Sequence, residues 1–455
     1  MRLSKILQKL DNYEIFGKEN ILLSSISDDS RKTKKGSLFI AVKGLTHDGH
    51  NFIPQVIKKG ALAVIGENEP ESNWLKKITY VKVKDSRLAL AKVASSWYGD
   101  PSRKLYVIGV TGTKGKTTTV HMLNHILNYW GKKCGMISSI TYPGLHVTTP
   151  GPLEINKILR KILDKGIKYA ILEVSSHGID QMRIAGIFFR IGILTNISPE
   201  HLDYHKTFNR YKETKLKFIN SCEKKIICPK VTKIDIFPGY FNNLNAEAAV
   251  LAGRIIGIKR KDALKSLLSF KLPKGRLDEI KNNKGFRIFI DFAHTPDSLE
   301  NVLSYLKLIT KGKLIVIFGC AGERYREKRS IMGGISARIA EISVFTAEDP
   351  RNEDVEKIID EMVVGALRNK AKEMNYHNLE NLDIRKGEHF FCRVAERGEA
   401  ISLVLQKIAK KDDIIVICGK GHEKSMAYRN IEYPWSDYEA VKIALKGGVK
   451  KIFRN

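Results

Sequence analysis

The stretch YVIGVTGTKGKTTTVHML, from Tyr106 to Leu123, decides how this chain is read. YVIGV is an apolar run of strand length, and TTTVHMLNHILNYW sets apolar positions at helical spacing. Between them, Gly112 and Gly115 let the backbone curl so that successive N–H groups point inward, with Thr113 and Lys114 completing the loop. Such a turn is a nest for phosphate oxygens at the positive end of a helix. Lys116 is expected to reach the β- and γ-phosphates, with Thr117 placing a hydroxyl on Mg²⁺ and Thr118 close behind. The full eight-residue pattern fails at its first position, where Val110 stands in place of glycine. The alternative is a glycine-rich loop without a ligand, but the strand before and the helix after favour a nucleoside triphosphate.

Outward from this loop, short apolar strands alternate with longer helical patterns, which predicts an α/β fold with mainly parallel sheets. Two turn-rich breaks, YGDPSRK (Tyr98 to Lys104) and LPKGR (Leu272 to Arg276), divide the chain into residues 1–102, 103–275 and 276–455. Six scattered cysteines form no CxxC pair, which argues against a zinc ribbon or a disulfide framework and for reduced thiols. The amino terminus, MRLSKILQKLDNYEIF, reads as an amphipathic helix carrying acids, not a signal peptide, and no apolar run is long enough to insert in a membrane. A cytoplasmic protein is expected. The formal charge of +29 fits either a polyanion partner or a lysine-rich surface. No aromatic-interleaved basic stripe accompanies it, so nucleic acid is not expected as a partner.

Further along, the strand YAILEV ends in EVSSHGIDQMR. Glu173, at the carboxyl end of a parallel strand, is placed either to hold Mg²⁺ or as a solvated strand end. A third strand, IGILTNI, leads to SPEHLDYHKTF, where His201 and His205 flank Asp203. In order, GTKGKTT, EVSSHGIDQMR, TNISPEHLDYH with a following Tyr-x-x-x-Lys, DFAHTPDSLENVL, GCAGERYREKR and GKGHE resemble the Mur ligase family. Within it they look like the branch that extends a UDP-N-acetylmuramoyl dipeptide. DDSRKTKKGSLFIAVKGLTHDGHNFI is similar to that branch's uridine-nucleotide segment, so the resemblance covers nearly the whole chain.

The resemblance implies three domains: a small uridine-nucleotide-binding α/β domain, a central P-loop ATPase domain and a C-terminal Rossmann-like domain. It implies an ADP-forming amide ligase of peptidoglycan precursor synthesis, hence of cell-wall biogenesis, cell shape and division. A peptide carboxylate would take the γ-phosphate of ATP, and an amino acid's amine would displace phosphate from the acyl phosphate. Lys116, Lys215 and His201 would serve catalysis, and Thr117, Glu173, His201 and Lys215 would hold Mg²⁺, Lys215 as a carbamate formed with CO₂. From residue type alone, Lys215 reads as one more surface lysine beside Lys212 and Lys217. Asn242, Asn245, Arg276, Asp291 and His294 would contact the nucleotide, and Ser30, Thr148, Thr149, Ser175, Gln181 and Arg183 the UDP-sugar peptide. Each of these, taken singly, fits a helix cap or surface contact as well.

The incoming amino acid would meet Arg324, Glu348, Asp349, Pro350, Arg351, Gly419 and Glu423. Family members that add meso-diaminopimelate carry Asp-Asn-Pro-Arg where this chain has Glu348-Asp349-Pro350-Arg351. Arg351 favours meso-diaminopimelate; the charge on Asp349 argues for an amine instead, which keeps L-lysine next in line. The rivals are a folylpolyglutamate or cyanophycin-type ligase and, more distantly, a nucleic-acid-dependent P-loop ATPase. A monomer is expected.

Overall fold

The structure, a computed structural model, describes residues 1–44, 47–140, 148–229, 234–375, 384–385 and 387–452. Leu45 and Thr46 of the uridine-like segment, and His146 and Val147 before Thr148, lie outside the described residues. Among the described residues the chain builds three mainly parallel sheets and a hairpin.

The first sheet holds β1 (Tyr13–Phe16), β2 (Ser25–Ser27), β3 (Ser37–Ile40), β4 (Ala63–Gly66) and β5 (Thr79–Val83) in the order β1-β5-β4-β3-β2. Only β1 runs antiparallel, against β5. The amphipathic amino-terminal helix is shorter than the sequence predicted. It spans Leu3–Leu7, and Asn12 turns with φ of 52° before YEIF enters the sheet as β1. The β-forming Tyr, Ile and Phe there outweigh the helical spacing.

The second sheet holds β6 (Tyr106–Thr111), β7 (Cys134–Ile137), β8 (Tyr169–Glu173), β9 (Ile191–Leu194) and β10 (Lys224–Ile227), all parallel, ordered β10-β9-β6-β8-β7. Its inner strands are apolar on both faces because helices cover both, and Val107, Ile108, Ile171, Leu172, Ile191 and Ile193 are buried. The strand β6 is flanked by β8 and β9, so the chain leaves it in opposite directions. The crevice at that switch point is where doubly wound sheets bind ligands. Helix Ser86–Trp97, packed on the first sheet, also packs against helix Pro152–Asp164 of the second. The two sheets therefore share one compact unit, formed by Met1–Glu200, Thr207–Thr232 and Asn245–Leu268.

The other unit comprises His201–Lys206, Lys233–Leu244 and Ser269–Asn455. Its sheet holds β11 (Asp278–Ile280), β12 (Arg287–Asp291), β13 (Leu314–Phe318), β14 (Ile342–Phe345), β15 (Lys372–Glu373), β16 (Phe390–Arg393) and β17 (Ile414–Cys418), ordered β11-β12-β17-β13-β14-β16-β15. All neighbours are parallel except β11 with β12. Two apolar cores, one on each face, sandwich it in Rossmann-like fashion. A hairpin of β18 (Ser425–Tyr428) and β19 (Ile431–Pro434) follows β17. Among the described residues no helix is long and apolar enough to cross a membrane.

Candidate nucleotide and substrate sites

The glycine loop leaves the carboxyl end of β6 and closes on helix Lys116–Tyr129, with Gly115 at the N-cap in left-handed backbone. A Cβ on Gly112 would lie 1.9 Å from Thr195 Oγ1, and one on Gly115 2.0 Å from Asn245 Oδ1, so both positions require glycine. Gly115→Ala, also strained at φ of 81°, is expected to cost about 2 kcal/mol, read as a lower Tm by thermal denaturation. The loop is anchored by the segment after β9: Thr113 N–H donates to Asn196 O at 3.0 Å, and Lys114 N–H to Asn196 Oδ1 at 2.9 Å. Thr113 Oγ1 meets Tyr211 Oη at 3.0 Å. Thr117 Oγ1 donates to Glu173 Oε2 at 3.2 Å, and Ser139 N–H to Glu173 Oε1 at 3.3 Å. Glu173 is 1% exposed, so it is a buried acid beside the loop rather than a solvated strand end.

Lys215 sits on helix Phe208–Ser221 one turn after Tyr211. Tyr211, Lys215 and Phe218 form that helix's buried face while Lys212 and Lys217 point to solvent, which separates Lys215 from its surface neighbours. Its Nζ donates to Gly112 O at 2.8 Å and lies over the Tyr211 ring, 4.7 Å from the centroid. Lys116 Nζ donates to the same carbonyl at 2.8 Å and to Thr113 O at 2.8 Å. Burial above all, then the neighbouring Lys116 charge, holds the Lys215 amine well below the ordinary lysine range, with Glu200 opposing.

Four of the expected substrate residues form one network at the end of β8. Thr149 Oγ1 donates to Glu173 O at 3.0 Å and meets Ser175 Oγ at 3.0 Å, and Ser175 N–H donates back to Thr149 Oγ1 at 2.8 Å. Arg183 donates to Thr149 O at 2.7 Å and, through Nη2, to Gln181 Oε1 at 2.7 Å. Thr148 precedes this network, half-buried. Arg183 and Gln181 also line a cavity of ≈ 400 Å³ with Asp28, Val42, Arg87 and Leu90, which joins the first sheet's loops to the second sheet's. Burial raises the Asp28 carboxyl. Ser30 is buried near the start of this loop, where its carbonyl accepts from Lys59 Nζ at 2.7 Å.

The remaining expected residues belong to the second unit, except Asn245. His201 opens the one-turn helix Leu202–His205 in left-handed backbone, its carbonyl accepting from Tyr204 and His205 N–H groups. Asn242 Nδ2 donates to Pro238 O at 2.8 Å. Asp291 ends β12, accepting from Leu277 N–H at 2.7 Å and Ala293 N–H at 2.8 Å. Burial pushes its carboxyl up to about 6 against the pull of Arg276. Arg276 lies over Phe292, 4.6 Å from the ring centroid, and His294 packs edge-on to the same ring. Glu348 follows β14 and Gly419 follows β17, again at carboxyl ends. Burial pushes the Glu348 carboxyl up to about 7; Lys328, Lys420 and Arg397 oppose this and Asp349 adds to it. Arg351 Nη1 donates to Gly322 O at 2.7 Å, with Pro350 between it and Asp349, while Arg324 is exposed.

Residue types alone missed four groups. Asn196 and Thr195 anchor the loop and Ser139 holds Glu173, yet each reads as an ordinary strand-end residue. Lys420 sits inside GKGHE and donates to Asp349 Oδ1 at 2.7 Å, 71 residues away in sequence. Tyr211 was detectable, being the tyrosine of Tyr-x-x-x-Lys.

A parallel strand, a glycine turn, a Lys-Thr pair at the helix start and a buried acid on the next strand define a P-loop protein of the doubly wound α/β class. Residues 23–98 match the model for "Mur ligase family, catalytic domain", 110–250 the Mur ligase middle domain, and 275–421 "Mur ligase, glutamate ligase domain". The chain is 35% identical to the UDP-N-acetylmuramoyl-L-alanyl-D-glutamate--2,6-diaminopimelate ligase of Clostridium tetani, over 97% of this chain and 99% of that protein. Its fold matches a solved structure of a ligase of that name with a TM-score of 0.62 at 24% identity, covering 98% of this chain and 99% of the other. It also matches the MurF ligase from Thermotoga maritima in complex with ADP, with a TM-score of 0.60 at 19% identity over 93% and 97% of the chains. The chain belongs to the Mur ligase family and is an ATP-dependent ligase.

Proposed function

We propose that this protein joins meso-diaminopimelate to UDP-N-acetylmuramoyl-L-alanyl-D-glutamate at the expense of ATP, as a cytoplasmic monomer supplying peptidoglycan precursor. The observation that carries the reading is the carbonyl of Gly112, which receives both Lys116 and the buried Lys215 at 2.8 Å. Two basic groups converge there beside a phosphate-binding loop and a buried acid. A nucleotide hydrolase needs only the first of them. A ligase must draw a substrate carboxylate onto the γ-phosphate, two anions at once, and gains from a further metal cation, which the second lysine would help to hold as a carbamate.

The residues fit the groups this chemistry needs. Thr117 and Glu173 present converging oxygens, the hard donors Mg²⁺ prefers, and would hold one ion. Burial favours the neutral amine form of Lys215, the form that adds CO₂, and its carbamate would hold a second ion. When bound, Mg²⁺ neutralises oxyanions of the triphosphate. The loop N–H groups and Lys116 would cradle that triphosphate. Thr149, Ser175 and Arg183, gathered next to Glu173, would orient the peptide of the UDP-sugar so that its terminal carboxylate oxygen faces the γ-phosphorus. That oxygen bonds to phosphorus as the bond to ADP breaks. The amine of the incoming amino acid then bonds to the acyl carbon, phosphate leaves, and the ammonium proton is lost to solvent.

The test is phosphate release assayed with each component omitted. Release should require both the UDP-sugar dipeptide and a diamino acid, fall by at least about a hundredfold without either, and ignore added DNA or RNA. A rate that is unchanged without the sugar nucleotide, or raised by polynucleotide, overturns the proposal. Stimulation by a folate-type acceptor instead would favour the folylpolyglutamate rival.

A further inference from the structure

Asp349 and Arg351 both stand in left-handed backbone, with φ of 41° and 52°, and together clamp one residue of β18. Asp349 Oδ1 accepts from Ala427 N–H at 2.9 Å, and Arg351 N–H donates to Ala427 O at 3.1 Å. The Asp349 carboxylate and the Arg351 backbone are thereby fixed to the same residue beyond the carboxyl ends of β14 and β17, and the Arg351 guanidinium is held by Gly322 O at 2.7 Å. Lys420, only 2% exposed, reaches into this corner and pairs with Asp349 at 2.7 Å and with Glu423 at 2.5 Å. One ammonium thus serves two carboxylates. Counted over Asp349, Glu423, Lys420 and Arg351, this set of four side chains holds two charges of each sign and is neutral; the buried Glu348, its carboxyl pushed up, lies beside it. Without Lys420 the set would hold two carboxylates against one guanidinium, a site that attracts an ammonium and repels a carboxylate.

Resting on the function proposed above, we infer that Lys420 sets the choice of amino acid: by cancelling Asp349 it leaves Arg351 to receive the second carboxylate of diaminopimelate, which L-lysine lacks. Lys420 acts here as a positioning residue through Asp349 and Glu423, without touching the reacting atoms. It makes an aspartate at 349 compatible with a dicarboxylate substrate.

The experiment compares KM and kcat for meso-diaminopimelate and for L-lysine in the wild type, in Lys420→Met and in Lys420→Met/Asp349→Asn, with amino-acid binding followed by calorimetry. In Lys420→Met the KM for meso-diaminopimelate should rise about 30-fold with kcat nearly unchanged, while that for L-lysine moves by less than about threefold. The double variant restores neutrality and should return the diaminopimelate KM to within about fivefold of wild type. Equal losses for both amino acids without rescue by Asp349→Asn would make Lys420 merely structural and overturn the inference. A wild type that uses L-lysine in preference to diaminopimelate overturns it too, while leaving the ligase reading standing. No ADP formation with any diamino acid would bring down the function itself. Should the single variant fail to fold, the double variant, with no uncompensated aspartate, carries the test through its KM.

Discussion

Replacing Lys215 with alanine is expected to lower the ADP-forming rate by about a thousandfold, the scale lost when one preorganised charge at a transition state is removed. Short carboxylic acids such as formate or acetate should recover part of that rate, about tenfold. The vacated space lies against Gly112 O, where Lys116 Nζ is held at 2.8 Å, so a small carboxylate there meets a cation. A second readout is independent of turnover: ¹³C-labelled CO₂ should give a carbamate resonance with the wild type that is absent from the variant. The pH dependence of stability carries a third. Burial holds the folded-state amine of Lys215 well below the unfolded value, so the unfolded chain binds more protons between the two. Wild-type stability contributed by this group therefore rises with pH from the folded value up to that of the unfolded lysine, and the urea midpoint of the alanine variant should lack that rise. Full activity without any supplement would show Lys215 to be an ordinary core residue.

The fold was legible wherever strands are buried on both faces. YVIGV, YAILEV, IGILTNI and IIVIC each form a strand of a parallel sheet, because a strand covered by helices on both sides is apolar at every position. YEIF was not legible, since a half-buried edge strand after a short helix can be threaded onto helical spacing. The loop was legible through its order along the chain, strand then glycines then helix, and its acid through the end of YAILEV; that strand, β8, follows β7 in the chain and lies beside β6 in the sheet. Lys215 was harder. Its burial is set by the packing of helix Phe208–Ser221 on the sheet, and only the tyrosine one turn earlier hints at that face.

The charge of Asp349 shows where local reading stops. Taken with its neighbours in sequence it adds a negative charge that should repel a dicarboxylate. In the fold its partner comes from beyond β17, and the pair is closed by a lysine that the sequence shows only as part of GKGHE. Electrostatic arguments from a motif therefore need the strands that lie near it in space, here β14 and β17, which are far apart in sequence and separated in the sheet by β13 alone.

The same loops are tied by a buried ion pair, and breaking it should give the largest loss of stability. Arg397 and Asp437 are both fully buried, with Arg397 Nη2 donating to Asp437 Oδ2 at 2.8 Å and Nε to Asp437 Oδ1 at 2.8 Å. Arg397 also donates to Cys418 O at 2.9 Å and to Ala347 O at 3.3 Å, the carbonyls just before Gly419 and Glu348. Trp435 Nε1 donates to Asp437 Oδ1 at 2.9 Å. The pair thus fastens the carboxyl ends of β14 and β17 to each other through one guanidinium. Arg397→Met keeps much of the side-chain volume but leaves Asp437 charged and dry with one donor, at a cost of about 3–5 kcal/mol. Denaturant unfolding should show that loss as a lower midpoint, and diaminopimelate binding should weaken because two loops of its expected site lose their shared anchor. Asp437→Leu in the same background removes the stranded charge and should recover most of the stability without restoring binding, since the carbonyls of Ala347 and Cys418 still lack their donor. If the double variant regained both, the guanidinium would matter only as a counter-charge; if Arg397→Met unfolded no more readily than wild type, Asp437 would have to be satisfied by water instead.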